Sequence, residues 1–217
     1  MNDFVKEIEN KITEYLSEGK KLFISSSFQT HSIPMLHIIS NVDNNIPICF
    51  LNTGYHFPET IVFKNTISKL LDVQTKDLFS PISMVNQKDM NGNLMYTSNP
   101  DYCCQLNKTL PMEPILAKHD VWITGVRADQ SSQRKAMLPE MQATETTLRY
   151  HPMLYWTSKM IYEYRMKHDL PEHPLDSEGY VSIGCEPCTI KYIDQERNAR
   201  WKGMKKEECG LHTELIK

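Results

Sequence analysis

Apolar residues recur with a helical period at the start of the chain. Within residues 2–18 they lie three or four positions apart and form one stripe, and Gly19 follows directly. The stripe consists of Phe4, Val5, Ile8, Ile12, Tyr15 and Leu16. The pattern predicts an amphipathic helix that ends before Gly19.

Two units of strand, turn and helix follow the first helix. Residues 21–27 begin apolar and end in three serines, and Pro34 then opens a run that suits a helix. Residues 46–51 form a second apolar strand, and Pro58 starts a second helix that reaches Leu71. Both units therefore predict the alternation of strands and helices found in α/β proteins.

The later pattern adds further elements of the same kind. We expect strands at residues 72–75 and 120–125, and a helix at residues 158–168 capped by Ser158. The proline-rich residues 170–174 should be extended or turning. Alternating elements of this kind predict a parallel sheet covered on both faces, which is a three-layer α/β sandwich.

Length and charge limit the classes of protein that fit. The 217 residues suit one domain spanning residues 1–217, and the formal net charge of −3 gives no basic surface for nucleic acid or an anionic membrane. No stretch approaches the roughly 20 apolar residues of a membrane helix, and residues 1–10 lack a signal-peptide layout. We therefore expect a cytoplasmic protein.

Four of the six cysteines form two pairs. Cys103 and Cys104 are adjacent, whereas Cys185 and Cys188 form a CxxC turn. Adjacent cysteines suit tetrahedral zinc poorly, and a four-iron cluster with wider spacing between its corners fits them better. A reactive CxxC dithiol beside two unrelated buried cysteines is the alternative.

The remaining two cysteines differ in their surroundings. Cys49 lies in the apolar strand at residues 46–51 and is expected in the core. Cys209 lies in a charged stretch, where three basic neighbours would lower its pKa and two acidic neighbours would raise it. The residues alone leave open whether Cys209 is a nucleophile or an exposed thiol without a role.

The serines that follow the first strand form a candidate anion site. Ser25, Ser26 and Ser27 stand between a strand and a helix, where backbone N–H groups and the helix dipole favour an anion. Ordinary turn formation by serine is the alternative. Ligands of open α/β sheets gather at this edge, which favours the anion site.

These motifs resemble the assimilatory adenylylsulfate and phosphoadenylylsulfate reductase family. The resemblance runs from about Lys21 to His212. It is carried by Ser25-Ser26-Ser27, by Asn52-Thr53-Gly54-Tyr55-His56-Phe57-Pro58-Glu59-Thr60, by Cys103-Cys104 through Lys108 with Gly184-Cys185-Glu186-Pro187-Cys188, and by Glu208-Cys209-Gly210-Leu211-His212. It implies an adenine nucleotide α-hydrolase-like, Rossmann-like fold.

The resemblance also implies the chemistry. Cys209 would attack the sulfonyl sulfur of adenylylsulfate, or of its 3′-phosphorylated form, with His212 as a catalytic partner on a mobile tail at about residues 202–217. Thioredoxin would then release sulfite, as in sulfate assimilation for cysteine biosynthesis. A [4Fe-4S] cluster would be held by Cys103, Cys104, Cys185 and Cys188.

Family-matched basic residues complete the expected site. Positive charge stabilises the anionic groups in sulfonyl transfer. The expected substrate-binding positions are Ser25, Ser26, Ser27, Lys108, Arg127, Arg134, Arg197 and Arg200. Phe28 and His31, with the two residues between them, depart from the family loop that follows the serines.

Three points stay open at this stage. A zinc-stabilised nucleotide-binding regulatory module without reductase activity is the alternative function. A cluster-free enzyme for the 3′-phosphorylated substrate would typically lack the cysteine pairs, so their presence points to adenylylsulfate. The sequence sets no oligomeric state, and a homo-oligomer is compatible with it.

Overall fold

The central element of the protein is a six-stranded sheet. The computed structural model describes residues 2–191, 200–201, 204, 206 and 208–212, with only the backbone of His212. The strands are β1 (Leu22–Ser25), β2 (Ile48–Leu51), β3 (Thr75–Leu78), β4 (Val121–Thr124), β5 (Glu140–Gln142) and β6 (Leu148–Tyr150). Their order is β3-β2-β1-β4-β6-β5, and every pair is parallel except β5 with β6. The predicted parallel sheet is confirmed.

Helices precede, connect and follow these strands. They are α1 (Asn2–Ser17), α2 (Ile33–Val42), α3 (Pro58–Leu70), α4 (Met95–Ser98), α5 (Pro100–Cys104), α6 (Leu110–Leu116), α7 (Ser132–Lys135) and α8 (Ser158–Lys167). A π-helical segment, Gln105–Thr109, joins α5 to α6. The predicted helices at the N-terminus, after Pro34, from Pro58 and from Ser158 are all present.

Packing on both faces of the sheet gives the three layers. Successive residues of a strand point to opposite faces, so Phe23 and Ile24 of β1 enter different cores. Ile24 packs in a core with residues of α1, α2, α3 and α8. Phe23 packs with Trp122 of β4, residues of α6 and Leu211. The C-terminal segment thus contributes to the second core.

Some predicted boundaries are wrong. The third strand begins at Thr75, at the end of the predicted range, because Asp72 has φ +50° and the Val73 amide bonds Ser68, which makes this region a turn after α3. The cap of α8 is Thr157, whose side chain accepts from the Met160 amide. The β5–β6 hairpin was not predicted.

Among the described residues, no helix is long and apolar enough to cross a membrane.

The packing of α1 yields a stability prediction. Ile12 is fully buried between α1 and the rest of its core, so Ile12→Ala should lower the free energy of unfolding by about 2–5 kcal/mol. Val62→Ala, at a side chain 63% exposed on α3, is the control and should change it by less than about 0.5 kcal/mol. Chemical denaturation measures both variants, and equal losses would contradict the assigned packing.

Candidate functional site

A cavity of about 200 Å³ opens where the parallel strands end. Ser25, Leu51 and Thr124, the last residues of β1, β2 and β4, all line it. In the sheet, β2 pairs with one side of β1 and β4 pairs with its other side. The strand order therefore reverses direction next to β1, and the cavity lies at this switch point. Ligands of open α/β sheets bind at such a point.

The three serines form one wall of the cavity. The Ser25 hydroxyl accepts from the Trp122 indole at 2.7 Å, and the Ser26 hydroxyl accepts from the Phe28 amide at 3.0 Å. Phe28 is fully buried with φ +54°, a left-handed conformation that bends the chain sharply after the serines. Phe28, which departs from the family loop, therefore packs in the core beneath the serine turn.

Most of the expected basic residues meet at this cavity. Lys108, Arg134 and Arg200 line it, together with Cys209. Arg127 does not line it: its guanidinium bonds the Asp129 carboxylate at 3.0 Å and Ser158 at 3.1 Å.

Two expected site groups cannot be placed. Arg197 and the side chain of His212 lie outside the described part of the chain.

Arg200 lies flat against the backbone of Gly184. A Cβ added at Gly184 would stand 2.3 Å from the Arg200 guanidinium carbon, which is far closer than real contacts allow. On its other side the guanidinium lies 4.5 Å from the Trp201 ring centre. Because glycine has no Cβ, the Arg200 guanidinium can occupy this space, where it lines both the first cavity and the cavity bordered by the cysteine pairs.

Cys209 lies between the cavity and Cys104. The pKa of the Cys209 thiol falls well below its ordinary value, chiefly because the Cys104 thiol hydrogen-bonds to it; Lys108 and Arg200 act in the same direction against the effect of burial. Burial opposes the charge on Lys108, but the Cys104, Cys209 and Cys185 sulfurs nevertheless raise its pKa. The site thus favours a Cys209 thiolate beside a lysine cation.

Cys49 is confirmed as a core residue. It is buried in β2, and burial raises the pKa of its thiol to about 11. Although Cys49 also lines the cavity, the thiol is protonated at neutral pH.

Both cysteine pairs line a second cavity beside the first one. Cys103, Cys104, Cys185 and Cys188 all border it, and Lys108 and Arg200 stand in the wall shared by the two cavities. Among the described residues, no group of three His, Cys, Asp or Glu side chains is placed to hold one metal ion. A mononuclear zinc site would draw four sulfurs to about 2.3 Å from one ion. Four cysteine thiolates are also the usual ligands of a [4Fe-4S] cluster, and these four border one cavity.

Polar side chains that the sequence analysis missed support the cysteines. The Thr53 hydroxyl lies 3.3 Å from Cys185 Sγ. Asn107 donates to the carbonyl oxygen of Cys103 at 2.9 Å and is itself held by the buried Gln87. Thr53 and Asn107 lie within motifs that carry the family resemblance, but nothing in the sequence pattern marked Gln87.

Two further cavity residues were also missed. His56 Nε2 donates to the Leu51 carbonyl oxygen at 2.8 Å, and burial lowers the pKa of His56 to about 4, so it is neutral at pH 7. Glu208 brings a buried carboxylate to the cavity and pairs with Arg134.

The Lys108 cation yields a prediction for the Cys209 thiol. Because a nearby cation stabilises the thiolate, Lys108→Met should raise the pKa of Cys209 and move the onset of its alkylation to higher pH. Iodoacetamide labelling over a pH series, with peptide mapping of Cys209, measures the shift. The exposed Lys118→Met is the control and should leave the curve in place. An unmoved curve in Lys108→Met would refute the coupling.

Comparisons with known proteins agree with the geometry. The family model of the phosphoadenosine phosphosulfate reductase domain matches residues 21–191. An adenosine 5′-phosphosulfate reductase of Chelativorans sp. (strain BNC1) is 35% identical over 94% of this chain and 84% of the relative. A phosphoadenosine 5′-phosphosulfate reductase of Gloeobacter violaceus is 34% identical over 90% of this chain and 83% of the relative.

A solved structure shows the same fold. The phosphoadenylyl-sulfate reductase of Candida auris, in a phosphate complex, aligns with a TM-score of 0.69 at 18% identity, over 84% of this chain and 90% of that one. The resemblance found in the sequence motifs is confirmed. By the extent of the family match and of the identity to its relatives, the chain belongs to the phosphoadenosine phosphosulfate reductase domain family.

Proposed function

We propose that this protein reduces adenosine 5′-phosphosulfate to sulfite and AMP in sulfate assimilation. The observation that carries the proposal is the placement of Cys209, which lines the cavity together with Lys108 and Arg200 at the carboxyl edge of the parallel strands. A thiolate nucleophile needs such an accessible, electropositive setting. Relatives named for this reaction support the assignment.

The charges that the described residues bring to the cavity match the nucleotide without a 3′-phosphate. Among the described lining residues, the cations are Lys108, Arg134 and Arg200, and Arg134 is paired with the carboxylate of Glu208. Adenylylsulfate brings one charge on its phosphate and one on its sulfate, which Lys108 and Arg200 can balance. A 3′-phosphate would add charge that these two cations do not match.

The serine turn would receive the nucleotide phosphate. Its backbone lies at the end of β1, ahead of α2, and the Ser25 and Ser26 oxygens are fixed by donors from Trp122 and Phe28. Fixed polar groups at a strand end hold an anion without reorganising.

The reaction proceeds by three displacements at sulfur. The Cys209 thiolate attacks the sulfonyl sulfur, an S–S bond forms, and the S–O bond breaks with its electron pair leaving on AMP. Reduced thioredoxin then attacks the Cys209 sulfur and releases sulfite. Its second thiol resolves the mixed disulfide, so that thioredoxin supplies two electrons and Cys209 returns to the thiolate.

The four paired cysteines would hold a [4Fe-4S] cluster. Their shared cavity and thiolate chemistry support it, and Asn107 and Thr53 would hydrogen-bond its ligands. When bound, the cluster would supply an inorganic centre that ties α5 to the CxxC turn. Cys104 could then no longer donate to Cys209, which would leave Lys108 and Arg200 to stabilise the thiolate.

The organisation of the chain remains part of the proposal. We take residues 1–217 as one reductase domain, and His212 as a catalytic partner of Cys209. A zinc-stabilised nucleotide-binding regulatory module without reductase activity is the second candidate, since four cysteine thiolates that border one cavity could also hold a zinc ion.

Cys209 should form the covalent intermediate. Incubation with adenylylsulfate and no thioredoxin should add one sulfonate to the peptide containing Cys209, and reduced thioredoxin should remove it. Cys49 is buried and protonated, so Cys49→Ser should still form the adduct. Mass spectrometry of the digested protein measures both.

The variant Cys209→Ser is the critical comparison. It should retain the visible colour of the cluster and bind AMP normally but produce no sulfite. Turnover by Cys209→Ser, or an adduct mapped to Cys49, would overturn the mechanism. Parallel assays with the 3′-phosphorylated nucleotide determine the substrate preference.

The cysteine pairs should bind iron and sulfide rather than zinc. Cys185→Ser removes one corner of the site and should lower iron content, visible absorbance and sulfite formation in parallel. Measurement of iron, zinc and acid-labile sulfide in the purified protein checks this. A fully active protein that contains zinc and no iron would refute the cluster.

A further inference from the structure

The Glu208 carboxylate is the centre of a hydrogen-bond cluster next to Cys209. Its two oxygens accept from Arg134 Nε at 3.0 Å and Nη2 at 2.9 Å, which is a bidentate ion pair. The Ser131 hydroxyl, 3.2 Å away, also donates to it, and so does the Cys209 amide at 3.0 Å. Glu208 thus joins the backbone of the nucleophile directly to α7.

This ion pair is buried. The Glu208 side chain is 2% exposed and that of Arg134 is 13% exposed. Removal of one partner from a buried pair leaves a charge that neither water nor protein neutralises, which is strongly unfavourable. The two residues therefore depend on each other to keep the Cys209 segment in place.

The nitrogens of Arg134 are already engaged. Nε and Nη2 bond Glu208, and Nη1 donates to the Gln130 side chain. A sulfate or phosphate that took Arg134 as its partner would have to displace a buried carboxylate from it. Arg134 is accordingly better placed to hold the protein together than to hold the substrate.

Two other contacts fix the chain on either side of Cys209. Upstream, the Lys206 ammonium pairs with Asp101 at the start of α5. Downstream, Arg149 Nη1 donates to the Leu211 carbonyl at 2.9 Å, and its guanidinium is stacked 4.2 Å from the Trp122 ring centre. The Glu208 pair lies between these anchors and next to the reacting sulfur.

We propose that Glu208 and Arg134 are positioning residues, which hold the Cys209 thiolate at the cavity without touching the substrate themselves. Their kinetic role rests on the proposed function, whereas their structural role does not. Loss of the ion pair would leave the cavity and its remaining cations intact but would let the Cys209 segment leave its place. The effect should therefore appear in kcat rather than in KM.

The test uses Glu208→Gln, Arg134→Gln and the double variant. Hydrogen exchange of the peptide that contains Cys209 should become about tenfold faster in each single variant, because opening no longer breaks an ion pair. The double variant should exchange no faster than Arg134→Gln, since coupled residues are not additive. Exchange in α2 serves as the internal measure of global stability.

The kinetic arm uses the same variants with saturating thioredoxin. Each single variant should lose about tenfold in kcat, with KM for adenylylsulfate changed less than about twofold. Glu172→Gln removes the carboxylate partner of Arg165 away from the cavity and is the matched control, which should match the unaltered protein in both arms.

Two results would overturn the proposal. Unchanged exchange at Cys209 in both single variants would show that the pair does not hold the segment. A raised KM with unchanged kcat in Arg134→Gln would show a direct substrate contact instead. If the unaltered protein has no reductase activity, the proposed function fails, and the exchange arm alone decides whether the pair positions Cys209.

Discussion

The parallel pairing of β1 with β2 on one side and β4 on the other is the constraint on which the site depends. It brings the ends of three strands to one edge, so that the serine turn, the segment after β2 and the chain beyond β4 meet around one cavity. Residues far apart in sequence are added to that edge by packing. Leu211 enters the core beneath it, which carries Cys209 to the cavity.

Charge is concentrated at this edge in a chain whose formal net charge is −3. Lys108 and Arg200 lie in the wall between the cavity at the strand ends and the cavity that the cysteine pairs border, so both cations face the two cavities. A thiolate and an anionic substrate would repel each other in the absence of such cations. In the proposed reaction, these cations would allow two groups of like charge to approach closely enough to react.

Periodicity predicted the elements whose burial is regular. The stripe of α1 and the apolar strands β1, β2 and β4 follow directly from side-chain patterns. The β5–β6 hairpin was missed because its strands have three residues each and one of them carries the fully buried Arg149. No hydrophobic signal marks such a strand.

The same reasoning explains what was missed at the site. Motifs identified the cysteines, the serines and Lys108, since these residues carry chemistry that is recognisable in sequence. Glu208 lies in a charged stretch, a pattern that indicates a solvent-exposed side chain. It is nevertheless buried, because it forms an ion pair with Arg134, which lies 74 positions earlier in the chain on α7. Only the folded chain reveals partners separated by that distance.

The π-helical segment Gln105–Thr109 has a consequence for how the chain tolerates insertions and deletions. A π turn is equivalent to one extra residue in an α-helix, and Lys108 lies within it. Loss of one residue here would restore regular helix and turn one flank against the other by about 100°. Either Lys108 or the cysteines of α5 would then face away from the site, although every side chain involved in the chemistry would still be encoded. In this segment the number of residues between Cys104 and Lys108 therefore matters to the site as much as the identity of those two residues.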